Sequence, residues 1–129
     1  MNTLTYGVTV VTLPDDMLWP DEFTWRAIEQ KTSYGVTGAL FVESALKLAG
    51  RTIEVHAGEG VWMTRATLIA LYALAQIPGA TMVLLLRGQT FNVKFDHAAN
   101  AIVATPLVDY SDPDAADQYL VTLKFITMP

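Results

Sequence analysis

Apolar and polar positions alternate through much of this chain, and the alternation changes period once in a way that sets the architecture. From Thr64 to about Gln76 the residues Leu68, Leu71, Tyr72 and Ala75 recur at helical spacing, with Ile69 and Leu74 widening the stripe. The spacing predicts one amphipathic helix over about residues 64–76. Thr64 is its expected N-cap, because a threonine hydroxyl accepts from the unpaired amides of a first helical turn, and Met63 is placed to form a staple with Leu68. Pro78 and Gly79 end the helix, since proline lacks an amide hydrogen and glycine turns readily.

On either side of the helix the period is two. Residues 3–13 read as one strand, broken at Pro14-Asp15-Asp16. Leu40 and Val42 mark a short strand. Leu46 and Leu48, then Ile53 and Val55, mark another with a bend at Gly50, ended by Gly58-Glu59-Gly60. After the helix, Met82, Leu84 and Leu86 alternate with Val83 and Leu85, so both faces of that strand are expected to be covered, by the helix on one side and by sheet or a partner on the other. Arg87-Gly88-Gln89 reads as a hairpin turn into Phe91, Val93 and Phe95. Pro106 argues that the strand before it is an edge or ends there, and residues 118–128 read as a long closing strand. The expected fold is α+β: a mainly antiparallel sheet or partly open barrel of about six to seven strands, packed against the one principal helix.

The segment from Asp15 to Tyr34 breaks these rules. Met17, Leu18, Trp19, Phe23, Trp25 and Ile28 follow no clean period. It reads either as a short helix beginning at Pro20-Asp21-Glu22 or as an extended arm or recessed loop anchored by two tryptophans. One domain over residues 1–129 with an interaction arm at 14–35 is the organisation expected.

Composition narrows the chemistry. Of 129 residues 52% are hydrophobic, enough for a substantial core, and only eight are Lys or Arg against a formal charge of -5. With a pI near 4.7, a nucleic-acid backbone is not an expected partner. There is no cysteine, hence no disulfide, thiolate nucleophile or thiolate-bound zinc. The opening residues carry no basic segment ahead of an apolar run, so no signal peptide is expected. Arg65, Pro78 and Arg87 interrupt the apolar stretches before the roughly 20 residues that a membrane helix needs, so no membrane insertion is expected.

No catalytic motif emerges. His56 and His97 are the available imidazoles, with nothing resembling HExxH or a nucleophile elbow nearby, and Ser33, Ser44 and Ser111 stand in unremarkable contexts. Glu43, Glu54 and Glu59 could supply a carboxylate pair, as in almost any chain of this size. Asp109, Asp112, Asp114 and Asp117 offer oxygen ligands for calcium, but their spacing is not that of an EF-hand loop, and solvated turn formers are the simpler reading. Neither a metal nor a cofactor is expected, and the chain is not expected to be an enzyme. Trp62 is expected to plug the end of the core. Trp19, Phe23 and Trp25 are buried against their own sheet, or anchor in a neighbouring subunit, or form a platform for sugar rings.

The succession AGRTIEVHAGEGVWMTRATLIALYALAQIPG, then GQTFNVKF, then a closing YLVTLKFITM, resembles small baseplate or tail-tip proteins of tailed bacteriophages. The resemblance spans about residues 38–128 and matches element order and short phrases, including Trp62 ahead of the helix and Tyr119-Leu120-Val121-Thr122-Leu123; residues 1–35 add little to it. It implies a structural virion protein in the viral tail, made in the host cytoplasm and packed against other tail or baseplate proteins in a homo-oligomeric ring. Trp19, Phe23 and Trp25 are then the expected partner-binding residues. A small non-enzymatic module binding carbohydrate or another ligand is the alternative, and a small hydrolase stands third.

Overall fold

The computed structural model describes residues 2–56, 62–108 and 111–128. Its elements are β1 (Asn2–Tyr6), β2 (Thr9–Leu13), β3 (Ile28–Tyr34), β4 (Leu40–Leu46), β5 (Thr52–His56), β6 (Met63–Thr64), α1 (Arg65–Ala75), β7 (Met82–Leu86), β8 (Gln89–Phe95), β9 (Ile102–Pro106) and β10 (Gln118–Thr127), with a short 3-10 turn at His97–Ala99. Six strands in the order β2-β1-β7-β8-β10-β5 form a curled antiparallel half-barrel. The α+β class and the single principal helix agree with the sequence pattern. Among the described residues no helix is long and apolar enough to cross a membrane.

The long strand β10 organises the sheet. Along one side it pairs with β8 and β9, and along the other with β5 and β6. Directly opposed residues in an antiparallel ladder share a face, so the register sorts the side chains. Leu4 lies opposite both Val11 and Leu84, Phe125 opposite Phe95 and Ile53, and Leu123 opposite Val55. All of these are buried and form the inner face, where the rings of Phe95 and Phe125 stack with centroids 5.1 Å apart. Leu68, Leu71 and Leu74 of α1 close over that face. Tyr72, expected within the stripe, and Ile69, expected to widen it, are exposed instead.

Helix α1 starts where its cap predicts. The Thr64 hydroxyl accepts the amide of Thr67 at 3.4 Å. The amides of Arg65 and Ala66 donate to the carbonyls of Asp117 and Ala115, so the acidic loop closes the helix N-terminus, where negative charge is favoured. Two turns differ in their legibility. Arg87 and Gly88 both have positive φ (50° and 78°), as a two-residue type I′ hairpin requires, and join β7 to β8 as expected. Residues 3–13, expected as one strand, are instead a hairpin: Gly7 has φ 60° and turns the chain between Tyr6 and Thr9. The expected strand through Gly50 is likewise two elements, since Gly50 has φ 93° and separates β4 from β5.

The outer face of β7, expected to be covered by sheet or a partner, is partly open among the described residues: Val83 is exposed and Leu85 half-buried. The turn expected at Gly58-Glu59-Gly60 lies outside the described residues.

Candidate interaction surface

The aperiodic segment resolves into two parts with different roles. Residues 14–27 form a strap laid along the free edge of β5. Leu18 and His56 exchange two backbone hydrogen bonds of 2.9 Å in an antiparallel bridge. Further along, both carboxylate oxygens of Asp21 accept the amide of Glu54 at 3.1 Å. An exposed strand edge is a template for unwanted pairing, and the strap removes it. The stretch from Pro20 to Thr24 forms turns rather than the helix offered as one reading.

Trp19 is the pin of this strap. It is only 4% exposed, with its ring edge-on to Phe91 at 6.0 Å. The guanidinium groups of Arg51 and Arg87 sit 4.9 and 5.9 Å from its ring centroid, within cation–π range. Both arginines are held by Glu22: Arg51 Nη2 donates to its carbonyl and Arg87 Nη1 to its Oε2, each at 2.7 Å. The expectation that Trp19 anchors in a neighbour is therefore corrected. A large apolar ring gains more from the protomer's own core, and nothing of it remains for a partner. Trp19 and Trp25 accordingly form no exposed platform of stacked indoles.

Phe23 is 84% exposed on the turn at Asp21–Thr24, free to meet another surface. Trp25 is half-buried, with the Lys47 ammonium 4.6 Å from its ring centroid. It stands at the root of the second part, where the backbone amide of Lys47 donates to the Ala27 carbonyl at 2.8 Å. Trp62, expected to plug the core, is 44% exposed; Met63 beside it is the buried residue.

Beyond this root the chain leaves the body. Strands β3 and β4 pair with each other as a separate two-stranded sheet, and every residue in both is exposed. The arm thus spans residues 28–46, shifted from the expected 14–35. Its tip is a type I turn from Gly35 to Gly38, with Gly38 at φ 84° forming a bulge before Ala39.

The register makes this arm amphipathic. Ile28 lies opposite Leu46, Gln30 opposite Ser44, Thr32 opposite Val42 and Tyr34 opposite Leu40, all on one face. The other face carries Glu29 with Ala45, Lys31 with Glu43, and Ser33 with Phe41. Phe41 is the apolar exception there, and its ring lies over Gly35, whose missing Cβ makes room for it. Ile28, Leu40, Val42, Leu46 and Tyr34 are between 50% and 76% exposed. An isolated two-stranded hairpin is marginal in water, and this one carries an apolar face that the described residues leave uncovered.

The residues weighed for chemistry are dispersed. His56 lies on β5 and His97 in the turn after β8, on opposite flanks of β10. Glu43, Ser33 and Ser44 are on the arm and Glu54 on β5, while Glu59 is outside the described residues. In the acidic loop Asp117 Oδ2 accepts the amide of Asp114 at 2.8 Å, a local turn; Asp109 is outside the described residues. Among the described residues no three His, Asp or Glu side chains gather to hold a metal ion.

Comparison with family models, with curated proteins and with solved structures yields no match to this chain. The class defined here is therefore an architectural one: an α+β half-barrel with a strapped edge and a projecting amphipathic hairpin.

Proposed function

We propose that this chain is a structural assembly subunit, and that the hairpin at residues 28–46 is the arm by which it grips its neighbours. The observation that carries this reading is the apolar face of the arm, Ile28, Tyr34, Leu40, Val42 and Leu46, exposed on a strand pair that forms a sheet of its own among the described residues. Phe23 and Trp25, at the foot of the arm, extend the same contact region. The resemblance of residues 38–128 to small baseplate or tail-tip proteins supports a place in a phage virion tail, in a homo-oligomeric ring contacting other tail proteins. A protein of this kind works by shape and adhesion and needs no reactive centre, which suits the dispersal of its histidines and carboxylates.

Negative-stain electron microscopy tests the proposal on the purified protein, alone and mixed with isolated tail tubes. Annular particles, or densities at tube ends, are the expected result. Monodisperse single protomers that leave the tubes bare would overturn it.

A further inference from the structure

The arm needs an acceptor, and the body carries an unfinished strand edge. Among the described residues, strand β9 pairs only with β10. The amide of Lys124 donates to the Ala101 carbonyl and that of Leu107 to the Gln118 carbonyl. Backbone direction alternates along a strand, so Ala101, Val103, Thr105 and Leu107 face β10, whereas Ile102 and Ala104 direct their amides and carbonyls to the open side. Pro106, with a carbonyl and no amide, ends this row.

The surface on either side of that edge is partly apolar. On the inner side a groove of about 470 Å³ runs between β9 and α1, where Tyr72, Ala75, Ile102 and Ala104 share the lining with the polar His97 and Asn100. On the outer side Val103, Leu107 and Leu120 are exposed. The other open edge, β2, is bordered on its outer face by Thr3, Thr5 and Thr12 around Val10, a more polar setting.

We infer that the edge of β9 and the α1–β9 groove receive the β3–β4 arm of a second copy of this chain, which adds to the sheet by strand pairing. This rests on the assembly reading above and names its acceptor. Arm meeting arm, face to face, is the simplest rival. A seven-residue strand pair is about 24 Å long and about 10 Å wide, so its apolar face buries only about 500 Å² in total against one flat surface, far below the roughly 1,200 Å² of a stable interface. An arm seated on the body buries that face too, and adds strand pairing along β9 and contact with the walls of the groove. Each protomer gives one arm and accepts one, a head-to-tail contact that repeats around a ring, and strand pairing satisfies the open amides of Ile102 and Ala104 while the groove and its outer border cover the apolar arm. Charge does not oppose it: Glu29, Lys31, Glu43 and Lys47 leave the arm and its root formally neutral against an acidic body.

Because the chain has no cysteine, cross-linking can be read at chosen positions. Ser44→Cys on the arm is mixed with Thr105→Cys on β9, or with Thr12→Cys on β2, and treated with a short bis-maleimide that tolerates some freedom of register. A covalent dimer from the Ser44/Thr105 mixture, at least about tenfold above the Ser44/Thr12 mixture, is the expected result. Preferential linkage to Thr12, faster linkage of Ser44→Cys to itself, or no linkage in a protein that sediments as an oligomer would each overturn the acceptor while leaving assembly intact. Failure of the unmodified protein to self-associate would instead overturn the assembly reading beneath it. Ala104→Pro provides a second check, because it removes an amide on the open side and leaves the ladder to β10 in place: a folded variant that still assembles as the parent does would also overturn the inference.

Discussion

Both carboxylate oxygens of Asp21 receive the backbone amide of Glu54 at 3.1 Å, so an acidic side chain stands where the next strand of the sheet would otherwise pair. Together with the Leu18–His56 bridge it converts β5 from an open edge into a covered one. Asp21→Ala is expected to destabilise the protomer by about 1–2 kcal/mol, the cost of leaving a buried or half-buried donor without its acceptor. Asp21→Asn, which keeps one carbonyl oxygen, should lose less. Urea denaturation measures both, and an unchanged midpoint for the alanine variant would show that the strap is held elsewhere.

Trp19 and Phe23 are four residues apart and should behave in opposite ways. Trp19→Ala removes a buried ring and two cation–π contacts, and is expected to cost about 3–5 kcal/mol. Phe23→Ala, at an exposed turn, should leave protomer stability within about 0.5 kcal/mol. Thermal unfolding of the two variants side by side gives the comparison, and equal losses would contradict the division between strap and contact surface.

The helix cap and the hairpin turn give a test of local structure. Thr64→Ala is expected to lower stability by about 1 kcal/mol through loss of the Thr67 contact. Gly88→Ala places a side chain at φ 78° in the β7–β8 turn and should cost at least as much, about 1 kcal/mol or more. Urea titrations at one temperature check both. A neutral Gly88→Ala would mean that the turn relaxes into another type.

On the arm, stability and assembly should separate. Val42→Glu changes an exposed residue within the protomer, so unfolding should shift by no more than about 0.5 kcal/mol. Covering a valine in a contact is worth about 1.5–3 kcal/mol, so self-association should weaken by about tenfold or more. Sedimentation velocity over a concentration series measures the second effect.

How far the sequence foretold these features follows from how local each one is. The α1 helix, its Thr64 cap, the Arg87-Gly88 turn and the alternation of β7, β8 and β10 depend on neighbours within a few residues and stand as read, although Tyr72 of the expected stripe is exposed and Leu74 takes its place in the core. Gly7 was hidden because Thr5, Thr9 and Val11 keep the alternation running through the turn. The arm was less legible still. Residues 28–34, IEQKTSY, look polar taken alone, and the apolar face appears only when their register places Ile28 beside Leu46 and Thr32 beside Val42. Trp19 escaped because a strap crossing an edge meets the core at one point, which leaves no period to detect. The edges that β2 and β9 present among the described residues depend on sheet order, and strand alternation carries no record of that.

The central claim is that the apolar face of the arm is completed by a neighbour. Hydrogen exchange across residues 28–46, followed from dilute to concentrated protein, tests it most directly. The account predicts fast exchange in the dilute protomer, protection that rises with concentration together with oligomer mass, and loss of that protection in Val42→Glu. Arm amides that are equally protected at every concentration, or exchange freely in an assembled particle, would contradict it.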